Sequence, residues 1–262
     1  FQITKKKHVD IRILLEDDIT FPMLGLDGHR YVVRLAEPKK KNDEQASYLG
    51  LLFTLKNPLH RQFLWQTFKA SVFHLSMHAA ASKYEAYAKW SADKNIELTT
   101  FTVSMIEDAV VKAFLRTVWT PFMDDVALAN TISYLKMKPV HLISNQALRV
   151  MASVISEFTL GAIKGQISEQ ITNDVGLVQE QILTAAKDEQ EEDASQNIAD
   201  STIEQKLAVA DVIYDVLKTH GKTSTVPSLL YTENHGRNAI YHGNQLPKES
   251  DVEGNLEKAL SL

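Results

Sequence analysis

Between residues 59 and 220 the apolar residues recur with the period of an α-helix, and no other feature constrains the fold as strongly. Pro139 and Gly161 interrupt the pattern and separate successive helices. Ser144 and Asn145 are residues that can cap the helix beginning beside them. The sequence therefore predicts a mainly α-helical bundle of about six helices. The predicted helices cover residues 59–92, 99–118, 121–136, 144–163, 167–190 and 199–220.

The first 58 residues show a different pattern, rich in β-branched and aromatic side chains and punctuated by turn residues. This composition predicts a small strand-containing lead-in, either a hairpin or three strands. The predicted strands lie in HVDIRILL, HRYVVRL and YLGLLFTL, and the predicted connections are the turn LGLDGH and the polar loop AEPKKKNDEQAS.

Three regions follow from these patterns. Residues 1–58 form the strand-containing lead-in, and residues 59–220 form the helical domain. Residues 221–262 are polar, with proline, glycine and asparagine, so we expect an extended arm or a linker to a missing domain. Because the chain begins without Met and contains no apolar leader, we expect it to be a fragment or processed piece of a longer protein.

Composition excludes several classes of site. The chain has no cysteine, which rules out disulfides, thiolate zinc ligands and cysteine nucleophiles, so a metal would require His, Asp or Glu. The formal net charge of -5 gives no general electrostatic attraction for nucleic acid or an anionic membrane. No apolar run reaches the length of a membrane span. We therefore expect a soluble, cytoplasmic protein that binds no nucleic acid.

The pair His74-x-x-x-His78 is the sequence feature most typical of a chemical site. Residues four apart lie on the same face of a helix, so the two imidazoles can bind one metal ion. Lys69 and Lys83 fall almost opposite this face, which indicates that the histidines point inward or into a cleft.

Glu107 is the predicted partner of this pair. It falls among Val103, Ile106, Val110 and Phe114 on the apolar face of the next helix. A carboxylate in that position carries a high desolvation cost and needs a cation, a histidine, a metal or hydrogen-bond donors.

Two interpretations of these residues stay open. His74, His78 and Glu107 can bind one divalent metal such as zinc, or they can form a hydrogen-bond network that holds two helices in register. In the metalloprotease motif H-E-x-x-H the Glu after the first His is the general base, and Leu75 occupies that position here. This difference argues against a hydrolytic zinc site and leaves a structural or vestigial metal site open beside the hydrogen-bond network.

Other motifs carry less information. We find no P-loop, no glycine-rich dinucleotide turn and no G-x-S-x-G. The lysine triplets at residues 5–7 and 39–41 are interpreted as solvated, and Trp65, Trp90 and Trp119 as core or interface anchors. His235 and His242, with Arg237, are a further possible contact site in the arm.

The segments FHLSMHAA and SMIEDAVVKAFLRTVWTPF resemble the helical region that precedes the von Willebrand A domain in bacterial and archaeal accessory proteins. These are proteins of the nitric-oxide-reductase activation and cobaltochelatase-subunit type. The resemblance covers roughly residues 65–165 and includes NQALRVMASVISEFTLGAIKG. No Asp-x-Ser-x-Ser metal-adhesion motif is present, so the A domain itself would follow residue 262. The matching residues are His74, His78, Glu107, Asp108, Arg116 and Pro121.

This resemblance implies an interaction or accessory module, which works with an AAA+ ATPase of the MoxR kind in the maturation or activation of a client enzyme. Expected partners are thus the ATPase or the client. Two alternatives remain, a divergent zincin-like metal-dependent hydrolase and a purely structural helical domain. The replacement of the catalytic Glu by Leu75 makes us favour a non-catalytic role.

Overall fold

The structure is a computed structural model that describes residues 10–19, 22–27, 30–184, 198, 200–220 and 240–261. In this part of the chain it has eight α-helices and six short strands, which confirms the predicted mainly α class with a small β-containing N-terminal region. The helices are α1 (Pro58–Ala81), α2 (Tyr84–Trp90), α3 (Ile96–Thr117), α4 (Met123–Lys136), α5 (Gln146–Leu160), α6 (Glu169–Thr184), α7 (Ile203–His220) and α8 (Glu249–Ser261).

The chain divides into two compact units, and each is assembled from separate stretches of sequence. The first unit comprises Phe1–Ala81, Val118–Lys136 and His242–Leu262. The second comprises Ser82–Thr117 and Met137–Tyr241. This division differs from the predicted boundaries after residues 58 and 220, because packing joins elements that are distant in the sequence.

Two three-stranded sheets belong to the first unit. In one, the strand order is β1-β3-β2, with β1 parallel and β2 antiparallel to the central strand. The other is the antiparallel meander β4-β5-β6. The strands are β1 (Ile11–Glu16), β2 (Met23–Asp27), β3 (Arg30–Ala36), β4 (Lys39–Asn42), β5 (Gln45–Tyr48) and β6 (Leu51–Thr54).

Two predicted connections are strands in the structure. The predicted turn LGLDGH contributes most of β2, and the predicted loop AEPKKKNDEQAS contains β4 and most of β5. The Asn42 side chain accepts a hydrogen bond from the Glu44 backbone N–H at 2.9 Å, which stabilises the turn between β4 and β5. The sequence pattern did not predict these strands because their side chains are largely polar. In particular, β4 is an exposed edge strand with no apolar side chain.

In the first unit, α1 packs against α4 and both sheets, and α8 packs against α4. Lys69 on α1 forms an ion pair with the buried Asp125 on α4, with 2.7 Å between Nζ and Oδ2. The hydrophobic core of this unit combines Phe53 of β6, Phe63 of α1 and Val252 of α8 with Leu128 of α4. Thus three separated sequence stretches meet in one core.

In the second unit, α7 contacts α2, α3, α5 and α6. Its buried apolar side chains include Ile213 and Leu217, neither of which has any exposed surface. The predicted N-cap of α5 is confirmed, since the Asn145 side chain accepts a hydrogen bond from the Leu148 backbone N–H at 3.0 Å. Gly161 ends this helix in the left-handed region, with φ of 59°.

The predicted helix over residues 59–92 is divided in the structure, because α1 ends at Ala81 and α2 begins at Tyr84. No glycine or proline marks this break in the sequence. The structure also differs from the predicted extended arm over residues 221–262, since α8 occupies Glu249–Ser261. Residues 221–239 of that prediction lie outside the described residues.

The described helices include no segment that combines the length and the apolar character needed to cross a membrane.

Candidate functional site

His74 and His78 lie one turn apart on α1, in the first unit. Their Nε2 atoms are 3.0 Å apart, and the two rings meet edge to face at an angle of 85°. His78 is buried and His74 is half-buried, so the predicted inward orientation is confirmed for His78. The adjacent Phe73 stacks on Phe122 of the same unit, with 4.0 Å between ring centroids, which fixes this turn of the helix.

The short distance between the two Nε2 atoms permits two arrangements. If they share a hydrogen bond, one imidazole donates a proton and the other presents a lone pair. If both present lone pairs, they can bind one metal, because two zinc-bound nitrogens in tetrahedral geometry lie about 3.3 Å apart. The spacing of the two Nε2 atoms is therefore compatible with either a shared hydrogen bond or two nitrogen ligands of one metal. Leu75, at the position of the metalloprotease base, is half-buried and has no acid–base function.

Glu107 lies on α3, in the second unit, and its side chain has no exposed surface. Tyr87 of α2 donates its O–H to Glu107 Oε1 at 2.7 Å. Lys206 of α7 places Nζ 3.9 Å from the same oxygen. These contacts confirm that the carboxylate on the apolar face has a cation and a donor as partners. The other oxygen, Oε2, is buried and accepts no hydrogen bond from the residues described.

The environment of Glu107 also acts on Tyr87. Burial raises the pKa of the Tyr87 hydroxyl far above its usual value, and the negative charge of Glu107 and the hydrogen bond to it raise it further. Tyr87 therefore stays a neutral donor at every physiological pH. The result is a buried donor–carboxylate–ammonium cluster that links three helices.

The predicted site residues thus fall into two groups. His74 and His78 form a pair in the first unit, and Glu107 belongs to a cluster in the second unit. Binding of one metal by His74, His78 and Glu107 stays a prediction. Sequence reasoning missed Tyr87 and Lys206. For Lys206 a signal existed, because it precedes the buried Val209 and Ala210 by one helical turn.

Lys112 is a second cation of the second unit, and it is partly buried. It extends from α3 and donates to the Phe158 carbonyl oxygen at 3.0 Å, near the C-terminus of α5. Burial, followed by the positive charge of Arg116, lowers the pKa of Lys112 to about 8. The Lys112 ammonium group thus donates a hydrogen bond to one of the carbonyl oxygens in the last turn of α5, which have no partner within the helix. The partial desolvation of its charge opposes this stabilisation.

The remaining predicted contact residues are distributed as follows. His242 is exposed, while His235, Arg237 and residues 5–7 lie outside the described residues. Trp119 is buried, whereas Trp65 is 59% exposed. His220, which sequence reasoning did not single out, places Nε2 2.5 Å from Asp174 Oδ2 and joins α7 to α6.

Compared with known proteins, the chain matches no family model, no curated protein and no solved structure.

Proposed function

We propose that this chain is the helical interaction module of a larger accessory protein, which assists an AAA+ ATPase of the MoxR kind in the maturation or activation of a client. Two independent lines support the proposal. The first is the sequence resemblance over residues 65–165. The second, which carries it structurally, is the exposed apolar edge of the first sheet, formed by Ile13 and Leu15 on β1.

The edge strand β1 continues a buried apolar surface out to solvent. Ile13 is aligned with Val33, and Leu15 with Leu35, on the neighbouring strand β3. The two β3 residues are 0% and 1% exposed, whereas Ile13 and Leu15 are 50% and 61% exposed. Apolar side chains at an open edge strand are typical of a contact surface rather than of a free surface.

The other sheet of the same unit provides a contrast. Its edge strand β4 presents four exposed polar side chains, three of them lysines, and lysine at an edge discourages the addition of another strand. The strand β1 has one exposed charged side chain, Arg12, and by alternation Ile13 and Leu15 lie on the opposite face of the strand. The edge of β1 therefore suits a partner that adds an extended segment through backbone hydrogen bonds and apolar contacts.

A binding assay between this chain and the MoxR-type ATPase of the same organism tests the proposal. We expect the Ile13→Lys, Leu15→Lys double variant to weaken binding at least about tenfold, which corresponds to about 1.4 kcal/mol. The matched control is Leu142→Lys, which replaces an apolar residue of similar exposure, 58%, in the second unit. Failure of the wild-type chain to bind the ATPase, or equal binding by the double variant, would contradict the proposal.

A divalent-metal site at His74 and His78 is a second function, favoured by the distance of 3.0 Å between their Nε2 atoms. The absorption spectrum of added cobalt and calorimetry with zinc test it. Either His→Ala variant is expected to weaken binding at least about tenfold, because one of two nitrogen ligands is lost. The exposed His242→Ala variant is the control. Equal zinc affinity in all four proteins would rule out this site.

A further inference from the structure

The lysine triplet of β4 is divided in the structure. All three side chains are exposed, and among the residues that the structure describes Lys40 alone of the three forms an ion pair, with Nζ 2.7 Å from Asp43 Oδ1. Lys39 and Lys41 instead line a cleft of about 260 Å³ in the first unit. The alternation of side chains along a strand accounts for the different surroundings of Lys39 and Lys40.

The strand register shows how the cleft is built. Lys39 is aligned with Ser47 on β5, and Ser47 is aligned with Leu52 on β6, so these three side chains form one row across the sheet. The next row, which includes Ala46 and Phe53, faces the buried core. Ser47 and Leu52 line the cleft from the first of these rows. Ala36, Tyr48 and Leu51, which also line it, belong to the hydrophobic core cluster, so the cleft borders the core of the unit.

Lys41 reaches the cleft through an irregularity in the sheet. Lys40 is aligned with Ala46 and Asn42 with Gln45, so Lys41 is an extra residue in the ladder. A β-bulge of this kind redirects a side chain, and bulges occur preferentially at sheet edges and beside functional sites. The bulge thus explains why two lysines, rather than one, line the cleft.

The hairpin between β5 and β6 borders the same cleft. Leu49 adopts a left-handed backbone conformation with φ of 49°, which is unusual for a residue with a branched side chain. A glycine or asparagine at this position of a two-residue turn would avoid the strain. The Leu49 side chain lines the cleft and packs against the core cluster. These apolar contacts offset the backbone strain.

The lining of the cleft combines charged, polar and apolar side chains. Its charged groups are Lys39, Lys41 and Glu37, which leave one net positive charge. Neutral polar side chains are supplied by Ser47 and Asn244. The apolar part of the lining consists of Ile19, Ala36, Leu49, Leu51 and Leu52, together with the ring-bearing Tyr48.

We propose that this cleft binds a monocarboxylate that carries a small branched apolar group. The two lysines attract the carboxylate, and Glu37 disfavours a dianion such as phosphate. The volume is below the roughly 300 Å³ typical of drug-sized ligands, so the apolar group has only a few carbons. Such a carboxylate is found in a short branched-chain acid and in the C-terminal residue of a peptide ending in leucine. The inference is independent of the proposed function, because neither β1 nor α1 lines the cleft.

Calorimetric titration with 4-methylpentanoate tests the proposal, with the neutral 4-methylpentanamide as the paired ligand. Affinity in the millimolar range is expected for so small a ligand, and at least about tenfold weaker binding of the amide. A short peptide ending in a free leucine carboxylate forms the second arm. Whichever arm binds more tightly identifies the source of the carboxylate.

Three variants locate the binding. Lys39→Met with Lys41→Met is expected to weaken carboxylate binding at least about tenfold, and Glu37→Gln to strengthen it about threefold by removing a like charge. The matched control is Lys40→Met, which removes a lysine from the same strand without altering the cleft. The proposal is overturned if neither carboxylate binds, if the amide binds equally well, or if Lys40→Met has the same effect as the double variant.

Discussion

Two buried tyrosines, Tyr87 and Tyr48, show that the same residue type can stabilise the fold at one position and destabilise it at another. Tyr87 donates its hydroxyl proton to Glu107, whereas the buried hydroxyl of Tyr48 has only a weak interaction with Ser71 and makes no hydrogen bond of normal geometry with the residues that the structure describes. Burial raises the pKa of Tyr48 to about 12. The two residues are equally enclosed, with 2% exposure each, so they differ mainly in whether the polar atom is satisfied.

This contrast predicts opposite effects of the same substitution. Tyr87→Phe leaves a buried carboxylate without its donor and is expected to cost about 2 kcal/mol of unfolding free energy. Tyr48→Phe removes an unsatisfied hydroxyl and is expected to be neutral or to stabilise by up to about 1 kcal/mol. Chemical denaturation of both variants at neutral pH measures the difference. Equal destabilisation by both would show that the Tyr48 hydroxyl has a partner in solution.

The raised pKa of Tyr48 also predicts a loss of stability at high pH. Between the ordinary tyrosine value of about 10 and the folded value, the unfolded chain loses the proton while the folded chain retains it. Stability therefore falls as the pH rises from about 10 to about 12. The Tyr48→Phe variant should show a smaller decline over this interval when denaturation is followed at several pH values. An unchanged decline would mean that Tyr48 does not contribute to it.

Lys112 predicts the opposite dependence, because burial lowers its pKa to about 8. From about 8 up to its ordinary value of 10.5, the unfolded chain binds more protons than the folded chain, so this group makes stability rise with pH. Lys112→Met should lose that contribution, measured as the difference in unfolding free energy between pH 8 and pH 10. The exposed Lys89→Met is the control. An identical pH difference in wild type and Lys112→Met would refute the desolvation of this lysine.

At the scale of elements, helix ends are specified by single residues. Asn145 begins α5 by accepting the Leu148 N–H, and Gly161 ends it with a left-handed backbone. The Gly161 N–H donates to the Glu157 carbonyl oxygen at 2.7 Å, which closes the last turn. These local rules explain why the position of α5 follows from the sequence.

Two glycine substitutions with opposite signs test this account. Gly161→Ala is expected to cost about 1 kcal/mol, because alanine is strained at φ of 59°. Gly176→Ala, within α6, is expected to stabilise by up to about 1 kcal/mol, because the added Cβ meets no atom within 4 Å and alanine favours the helix. Thermal or chemical denaturation of the two variants is the measurement. If both substitutions shift stability in the same direction, backbone conformation is not the cause.

At the scale of the whole molecule, the end of the chain completes the first unit. The backbone N–H of Leu52 in β6 donates to the Asn244 carbonyl oxygen at 2.8 Å. Asn57, before α1, donates to Glu249 of α8 at 2.6 Å. Val252 of α8 is only 1% exposed and belongs to the same core cluster as Phe53. Residues separated by about two hundred positions thus share one core.

This closure predicts a long-range effect of a C-terminal substitution. Val252→Ala removes two buried methyl groups and is expected to cost about 2 kcal/mol. Hydrogen exchange should then accelerate in β6 and at the start of α1, because α8 packs on the core that supports them. The neighbouring exposed Glu253→Ala should change stability by less than about 0.5 kcal/mol. Exchange that increases only within α8 would show that the helix is not part of the unit.

The sequence by itself predicted most helices, the helical class and the N-cap at Asn145, because periodicity and capping act over a few neighbouring residues. It also predicted that Glu107 must have buried partners, since the desolvation cost of a carboxylate does not depend on which group offsets it. The identity of those partners, Tyr87 and Lys206, required the packing of α2 and α7, which local patterns do not encode.

For the His74-x-x-x-His78 pair, too, the sequence determined one part of the geometry and the tertiary structure the rest. Helical spacing placed the imidazoles on one face, but the tertiary structure set their rotamers and the 3.0 Å distance between their Nε2 atoms. The tertiary structure alone also decided that α8 belongs with the N-terminal sheets and that only two lysines of β4 line a cleft. The physical reason is that strand register and core membership depend on contacts between distant residues, whereas a helix is largely specified by its own sequence.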